Sequence, residues 1–200
     1  MTDTTALRSR ESTLQAVMEL AHTCETELAH TRHVTALALA LYGATQNLHQ
    51  LDQRERDWLE YAGLLHDIGW VEGWKEHHKT SLRIILSTSM LPFDGKERLV
   101  IGSIARYHRK AEPSEKHDHF TALEPDERRS VIILSAILRL ADGLDRQHKS
   151  RVRKISCRVG PKTIRITCFA KEKPEEEMQA AVEKGRLFEQ VFNRSLKIDW

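Results

Sequence analysis

Over roughly the first 140 residues, apolar positions recur with helical spacing. Leu14, Val17 and Ala21 predict a first helix, and Leu28, Val34, Leu37, Ala38 and Leu41 a longer second one ending near Gly43. Trp58, Tyr61, Ala62 and Leu65 form a third stripe, which stops at Gly69. Leu82, Ile85 and Leu86 mark a fourth, broken by Leu91-Pro92, and Leu99, Val100, Ser103, Ile104 and Tyr107 a fifth. The polar stretch 109–118 reads as a loop. A sixth helix starts after Pro125 and runs through Val131, Leu134, Ile137 and Leu138 to about Asp142. Its apolar residues go nearly all round, which predicts a central position.

Beyond Arg151 the period drops to two. Ile155, Cys157 and Val159 alternate with polar residues, as do Ile164, Ile166 and Cys168, with Gly160-Pro161-Lys162 between them. This is a hairpin in which Val159 faces Ile164, Cys157 faces Ile166 and Ile155 faces Cys168, all six on one side. Met178, Ala181, Val182, Gly185, Phe188, Val191 and Phe192 then predict an amphipathic helix, and Leu196, Ile198 and Trp200 a closing strand. The fold expected is mainly α, with a helical domain over 1–150 and a small β-β-α-β unit over 151–200 packed on it.

Composition narrows the class. The polar N-terminus has no apolar run and predicts no secretory leader. The most apolar stretch, 131–141, is too short to cross a membrane. Cys24, Cys157 and Cys168 contain no Cys-x-x-Cys pair and are odd in number. That argues against a disulfide framework or thiolate metal site and for a reduced, cytoplasmic protein. Net charge is +2, yet residues 139–173 carry eleven Lys/Arg against three Asp/Glu. Such a basic segment suits a phosphate-rich partner or only a solvated face. Arg151, Arg153 and Lys154 precede the first strand, and alternation forces Lys154, Arg158 and Arg165 outward together.

Eleven histidines leave room for a metal site. In Leu64-Leu65-His66-Asp67-Ile68-Gly69, imidazole and carboxylate sit about 100° apart at a helix end, where Gly69 lets the chain turn away. Asp142 closes the most apolar helix, where a lone carboxylate is costly unless paired or bound to metal. His30 lies on the inward face of the second helix, with His33 its rival one turn on. Glu72 is a weaker candidate for a base, and Arg139 reads as a structural ion pair. His22, His49, His117, His119 and His148 are expected to be exposed.

These residues resemble the HD superfamily of metal-dependent phosphohydrolases. They resemble more closely the C-terminal HD-like region of the exopolyphosphatase/guanosine-pentaphosphate phosphatase family. The likeness is carried by residues 30–42, 64–69, His77-His78-Lys79-Thr80-Ser81, 105–111 and 138–146, and extends into the hairpin tail. It implies an HD-type helical bundle. It further implies a first metal on His30, His66, Asp67 and Asp142, and a second on His77 and His108 with Asp67 bridging; His78 is the alternative to His77. One or two divalent ions are expected. The donor set suits Mn²⁺, Fe, Co²⁺, Ni²⁺ or Zn²⁺, with Mg²⁺ at a more oxygen-rich position. Asp67 and His66 take the catalytic roles by this reading, and Arg109, Lys110 and Arg146 bind substrate phosphate. The family's two-lobed actin-like phosphatase domain has no counterpart in these residues, so its activity does not simply transfer. The expected function is hydrolysis of a phosphate ester or anhydride, nucleotide or polyphosphate-like; the alternative is a non-catalytic polyphosphate- or nucleotide-binding module. Nucleic acid and membrane partners are not expected, and Trp200 with the amphipathic tail is a candidate homodimer contact.

Overall fold

Among residues 9–24 and 27–200, which the computed structural model describes, helices dominate and a three-stranded sheet forms the C-terminal edge. The polar N-terminal stretch lies outside these residues as far as residue 8. The helical body comprises α1 (Arg10–Cys24), α2 (Leu28–His49), α3 (Gln53–Leu65), a 3₁₀ helix (Ile68–Glu72), α4 (His77–Ser87), α5 (Gly95–Arg106), the single turn α6 (Asp118–Thr121) and α7 (Pro125–Gly143). Then come β1 (Val152–Val159), β2 (Thr163–Ala170), α8 (Glu175–Lys184), α9 (Arg186–Phe192) and β3 (Ser195–Asp199).

The starts of the helices are written in local chemistry. Asp52 and Glu55 form a reciprocal capping box on α3, and Glu124 and Glu127 do the same for α7, where Pro125 adds a preset first turn. Asp94 accepts from the backbone N–H groups of Lys96 and Glu97 to begin α5. The turn before α5 is gathered by Arg98, whose guanidinium donates to the carbonyls of Ile85, Thr88, Leu91 and Phe93 at 2.6–3.0 Å.

As its pattern predicts, α7 is central. It touches α2, α3, α5, α8 and α9, and Val131, Leu134, Ile137, Leu138, Leu140 and Ala141 have no exposed surface. Truncating Leu134 or Leu138 to alanine would cost about 2–5 kcal/mol. By contrast, α2 does not end at Gly43 but runs on to His49. A helical glycine costs about 1 kcal/mol, and burying Thr45 and His49 beyond it outweighs that.

The hairpin pairs in the expected register, Val159 to Ile164, Cys157 to Ile166 and Ile155 to Cys168, with an irregularity between Val152 and Lys154. Ile155, Ile164, Ile166 and Cys168 are buried and Cys157 and Val159 half-buried. β3 adds parallel to β2. The single helix expected between them is two, broken at Gly185, where an added Cβ would lie 2.6 Å from Leu196 Cδ2 and 2.7 Å from Ala181 O. Trp200 is half-buried against the chain's own core. No helix among the described residues is long and apolar enough to cross a membrane.

Candidate metal centre

Five helices meet at one point, and each delivers a side chain from near its end. His30 comes from the first turn of α2, His66 and Asp67 directly follow α3, and His77 opens α4. His108 lies just beyond α5 and Asp142 in the last turn of α7. Three helix C-termini, whose partial negative charge favours a cation, therefore converge with the N-termini of α2 and α4, whose partial positive charge opposes it. Gly69 allows the approach for a reason different from the turn expected: a Cβ there would lie 2.1 Å from the His77 carbonyl, so only glycine lets the 3₁₀ helix press on α4.

Asp67 is the hub. Its Oδ2 lies 3.5 Å from His66 Nε2 and 3.7 Å from His30 Nε2, while its Oδ1 lies 3.0 Å from His77 Nε2 and 3.4 Å from His108 Nε2. Two compact donor groups result, His30–His66–Asp67 and Asp67–His77–His108, all buried. Asp142 stands beside the first, its Oδ1 3.4 Å from His30 Nε2.

The other ring nitrogen of each imidazole is committed. Nδ1 of His66, His77 and His108 donates to the carbonyl three residues earlier, Gly63, Trp74 and Ala105, at 2.7–2.8 Å. His30 Nδ1 lies 2.9 Å from Oδ2 of Asp145, which has no exposed surface and whose Oδ1 accepts from the Ser150 backbone N–H at 2.6 Å. With Nδ1 occupied in this way, Nε2 of each ring faces the centre. There His30 Nε2, His66 Nε2 and Asp67 Oδ1 are buried without a hydrogen-bond partner, and His77 Nε2 and His108 Nε2 oppose each other at 3.3 Å. Unsatisfied buried polar atoms are costly, and a shared cation, replacing the proton on His30, would satisfy them. The donor set fits a divalent ion.

A cleft of about 240 Å³ opens onto Asp67, His77, His108 and Asp142, and Arg109, Lys110 and Arg146 line it. The family model described as Ppx/GppA phosphatase, domain III, matches residues 10–180. The chain belongs to this family. No curated protein matches it. For a member of the Ppx/GppA domain III family, the placing of cleft-lining cations round a buried histidine–aspartate hub is the informative feature.

The electrostatics of this Ppx/GppA domain follow from the packing. Burial alone would raise the Asp67 carboxyl, but His66, His77 and His108 outweigh it and hold it below the ordinary carboxylate range. Burial also opposes ionisation of Asp142, and Lys184 and His30 overcome it. Burial opposes charge on His30 too, yet Asp142 and Asp145 lift it to about 10. Burial pushes His66 down, and pushes His108 well down with help from His66.

Several expected placements change. His33 turns away to the Val152 carbonyl at 2.8 Å and ties α2 to β1. His78 lies outside both donor groups, its ring pushed down to about 3 by burial and by Arg106. Glu72 is exposed and pairs with Arg83, so it is not a base at the centre. Arg139 makes no ion pair among the described residues; it donates to the carbonyls of Tyr107, Lys110 and Ala111, fixing the loop that carries Arg109 and Lys110. His22 is exposed as expected, whereas His49 is buried between the Tyr42 carbonyl and the Leu51 N–H. His117 and His119 are half-buried against Tyr107. His148 is half-buried, stacks on His30 and lines the cleft. Lys154, Arg158 and Arg165 do face outward, but Arg165 is paired with Asp199 at 2.7 Å. Asp145, Trp70, His148 and Lys184 are further residues of the site, and no motif in the sequence marks out the last three. The Asp142-Gly143-Leu144-Asp145 spacing is a usable signal for the first; Lys184 arrives only through the tertiary fold.

Proposed function

We propose that the chain is a metal-dependent phosphohydrolase of HD type, acting on a phosphate ester or anhydride such as a nucleotide or polyphosphate. The observation that carries this is Asp67, whose two oxygens each face a separate set of imidazole nitrogens. His30, His66, Asp67 and Asp142 would hold one divalent ion, and Asp67, His77 and His108 a second. Such ions, when bound, supply charge for phosphoryl oxygens and acidity for an attacking water. Asp67 and His66 fix the reacting end of the site. Arg109, Lys110 and Arg146 receive the remaining phosphate charge at the cleft, and Arg139 holds two of them in place through the carbonyls of their loop.

The test joins elemental analysis of the purified protein to a phosphate-release screen. Nucleotides, tripolyphosphate and a chromogenic ester are assayed with Mn²⁺, Co²⁺, Ni²⁺ and Mg²⁺. Metal uptake with turnover supports the reading; absence of both metal and any thermal shift on adding Mn²⁺ or Ni²⁺ removes it. The cationic lining favours a second reading, a module that holds polyphosphate or a nucleotide without cleaving it. Binding of tripolyphosphate with no phosphate release in any metal would select it.

A further inference from the structure

Asp142 is the odd carboxylate of the centre. It lies outside the two compact donor groups built on Asp67, although its Oδ1 is 3.4 Å from His30 Nε2. Its Oδ2 is taken by the Nζ of Lys184, the last residue of α8. That lysine is brought in from the C-terminal unit by close packing. An added Cβ at Gly143 would lie 3.1 Å from both Ala180 O and Ala181 Cα, so α8 rests on the backbone directly after Asp142. Ala180 and Lys184, one helical turn apart, both line the cleft.

We propose that Lys184 is an exchangeable latch. In the metal-free protein it holds and neutralises Asp142; when a divalent ion enters, Lys184 gives Asp142 up and takes a phosphoryl oxygen of the substrate instead. This rests on the metal-dependent reading of the site. The exchange follows from charge. An ammonium and a divalent ion on one buried carboxylate repel each other at low effective dielectric, and the ammonium is the mobile partner on its flexible stem. Released, it stays on the wall of a cleft that also carries Arg109, Lys110 and Arg146, where, among the described residues, Glu183 is the one carboxylate besides Asp67 and Asp142. With one such carboxylate against four cations, the released ammonium is held best when an anion arrives. Metal and phosphate should therefore bind with positive coupling, and part of that coupling passes through Lys184.

The experiment compares the full chain with K184M and K184Q. Ni²⁺ titration calorimetry should show both variants binding roughly tenfold tighter than wild type, as a competing nearby charge is removed. In EDTA both should melt below wild type, because the buried Asp142 is left with His30 as its one remaining ion-pair partner among the described residues; saturating Ni²⁺ should close that gap. Inorganic phosphate should bind the Ni²⁺-loaded variants more weakly than loaded wild type. A purely structural lysine predicts the opposite pattern: Ni²⁺ affinity equal or weaker, and the same melting gap with and without Ni²⁺. Either result overturns the latch. Wild type that takes up no Ni²⁺ at all overturns the metal reading itself, whereas normal uptake with unchanged variants overturns only the latch.

Discussion

The imidazoles of His30 and His148 stack, ring centroids 3.6 Å apart and 6° from parallel. His148 is held from behind by Glu27 and has Trp70 within 5.7 Å on the cleft side. It lies on the cleft wall against the face of His30. Aromatic pairs contribute about 0.5–1.5 kcal/mol beyond burial, so H148A should weaken metal binding by up to about tenfold while the fold survives. Calorimetry with Ni²⁺ reads this directly, and an unchanged affinity would show the stack to be incidental.

Asp145 acts at one remove, through Nδ1 of His30. D145N preserves its shape but removes the charge, and its amide cannot accept from both partners. Loss of such a supporting carboxylate typically costs about 10–100-fold in metal affinity. The orphaned Ser150 N–H adds about 1–3 kcal/mol of lost stability. Wild-type affinity and melting temperature in D145N would rule this role out.

Removing the hub should be more severe. D67A takes a donor from both groups at once, so phosphate release should vanish and metal uptake fall at both positions. Circular dichroism should stay helical, because the hydrophobic core does not include Asp67. Retention of most turnover would place any activity elsewhere or in a contaminant.

Metal uptake should also depend on pH with a definite sign. His30 titrates at about 10 in the metal-free fold against 6.5 when unfolded. Its protonation thus stabilises the metal-free protein below pH 6.5, and that contribution is lost as pH rises through 10. An ion on Nε2 must displace the proton. Affinity should therefore climb from pH 7 to 9, with protons released in calorimetry across buffers of different ionisation enthalpy. Uptake without proton release would contradict this.

On the acid side the sign reverses. Burial, with Arg106 and His117 nearby, pushes His119 down to about 4 from 6.5. Between those values the unfolded chain binds more protons, so the contribution is complete above 6.5 and lost as pH falls toward 4. H119F should keep the contact with Tyr107 and flatten part of this limb. The ring is partly exposed, so the discounted effect is roughly 2–4 °C in melting temperature between pH 7 and 5. Identical acid limbs in the two proteins would exclude His119 as a contributor.

What could be read from the sequence divides along physical lines. The hairpin register was legible because a period of two and a short turn leave only one pairing that buries Ile155, Ile164 and Ile166 together. The centrality of α7 was legible because its apolar residues leave no face for water. The end of α2 was not, since Gly43 punctuates a helix only when nothing beyond it is buried, and Thr45 and His49 are. His30 and His33 share a face, and only tertiary partners separate them: Asp145 takes one and the Val152 carbonyl the other. Lys184 lies 42 residues beyond Asp142, and no local pattern points it at the centre.

Arg98 and Arg139 gather backbone carbonyls rather than carboxylates, and that choice sets how the molecule should fail. A guanidinium does not titrate in any accessible range, and a carbonyl has no charge for added salt to screen. Joints made this way keep their grip where surface ion pairs such as Arg165–Asp199 loosen. Brine would therefore loosen the exposed pairs, and acid would protonate the buried imidazoles, before either reached these joints. The turn before α5 and the loop after it would be the last connections to let go.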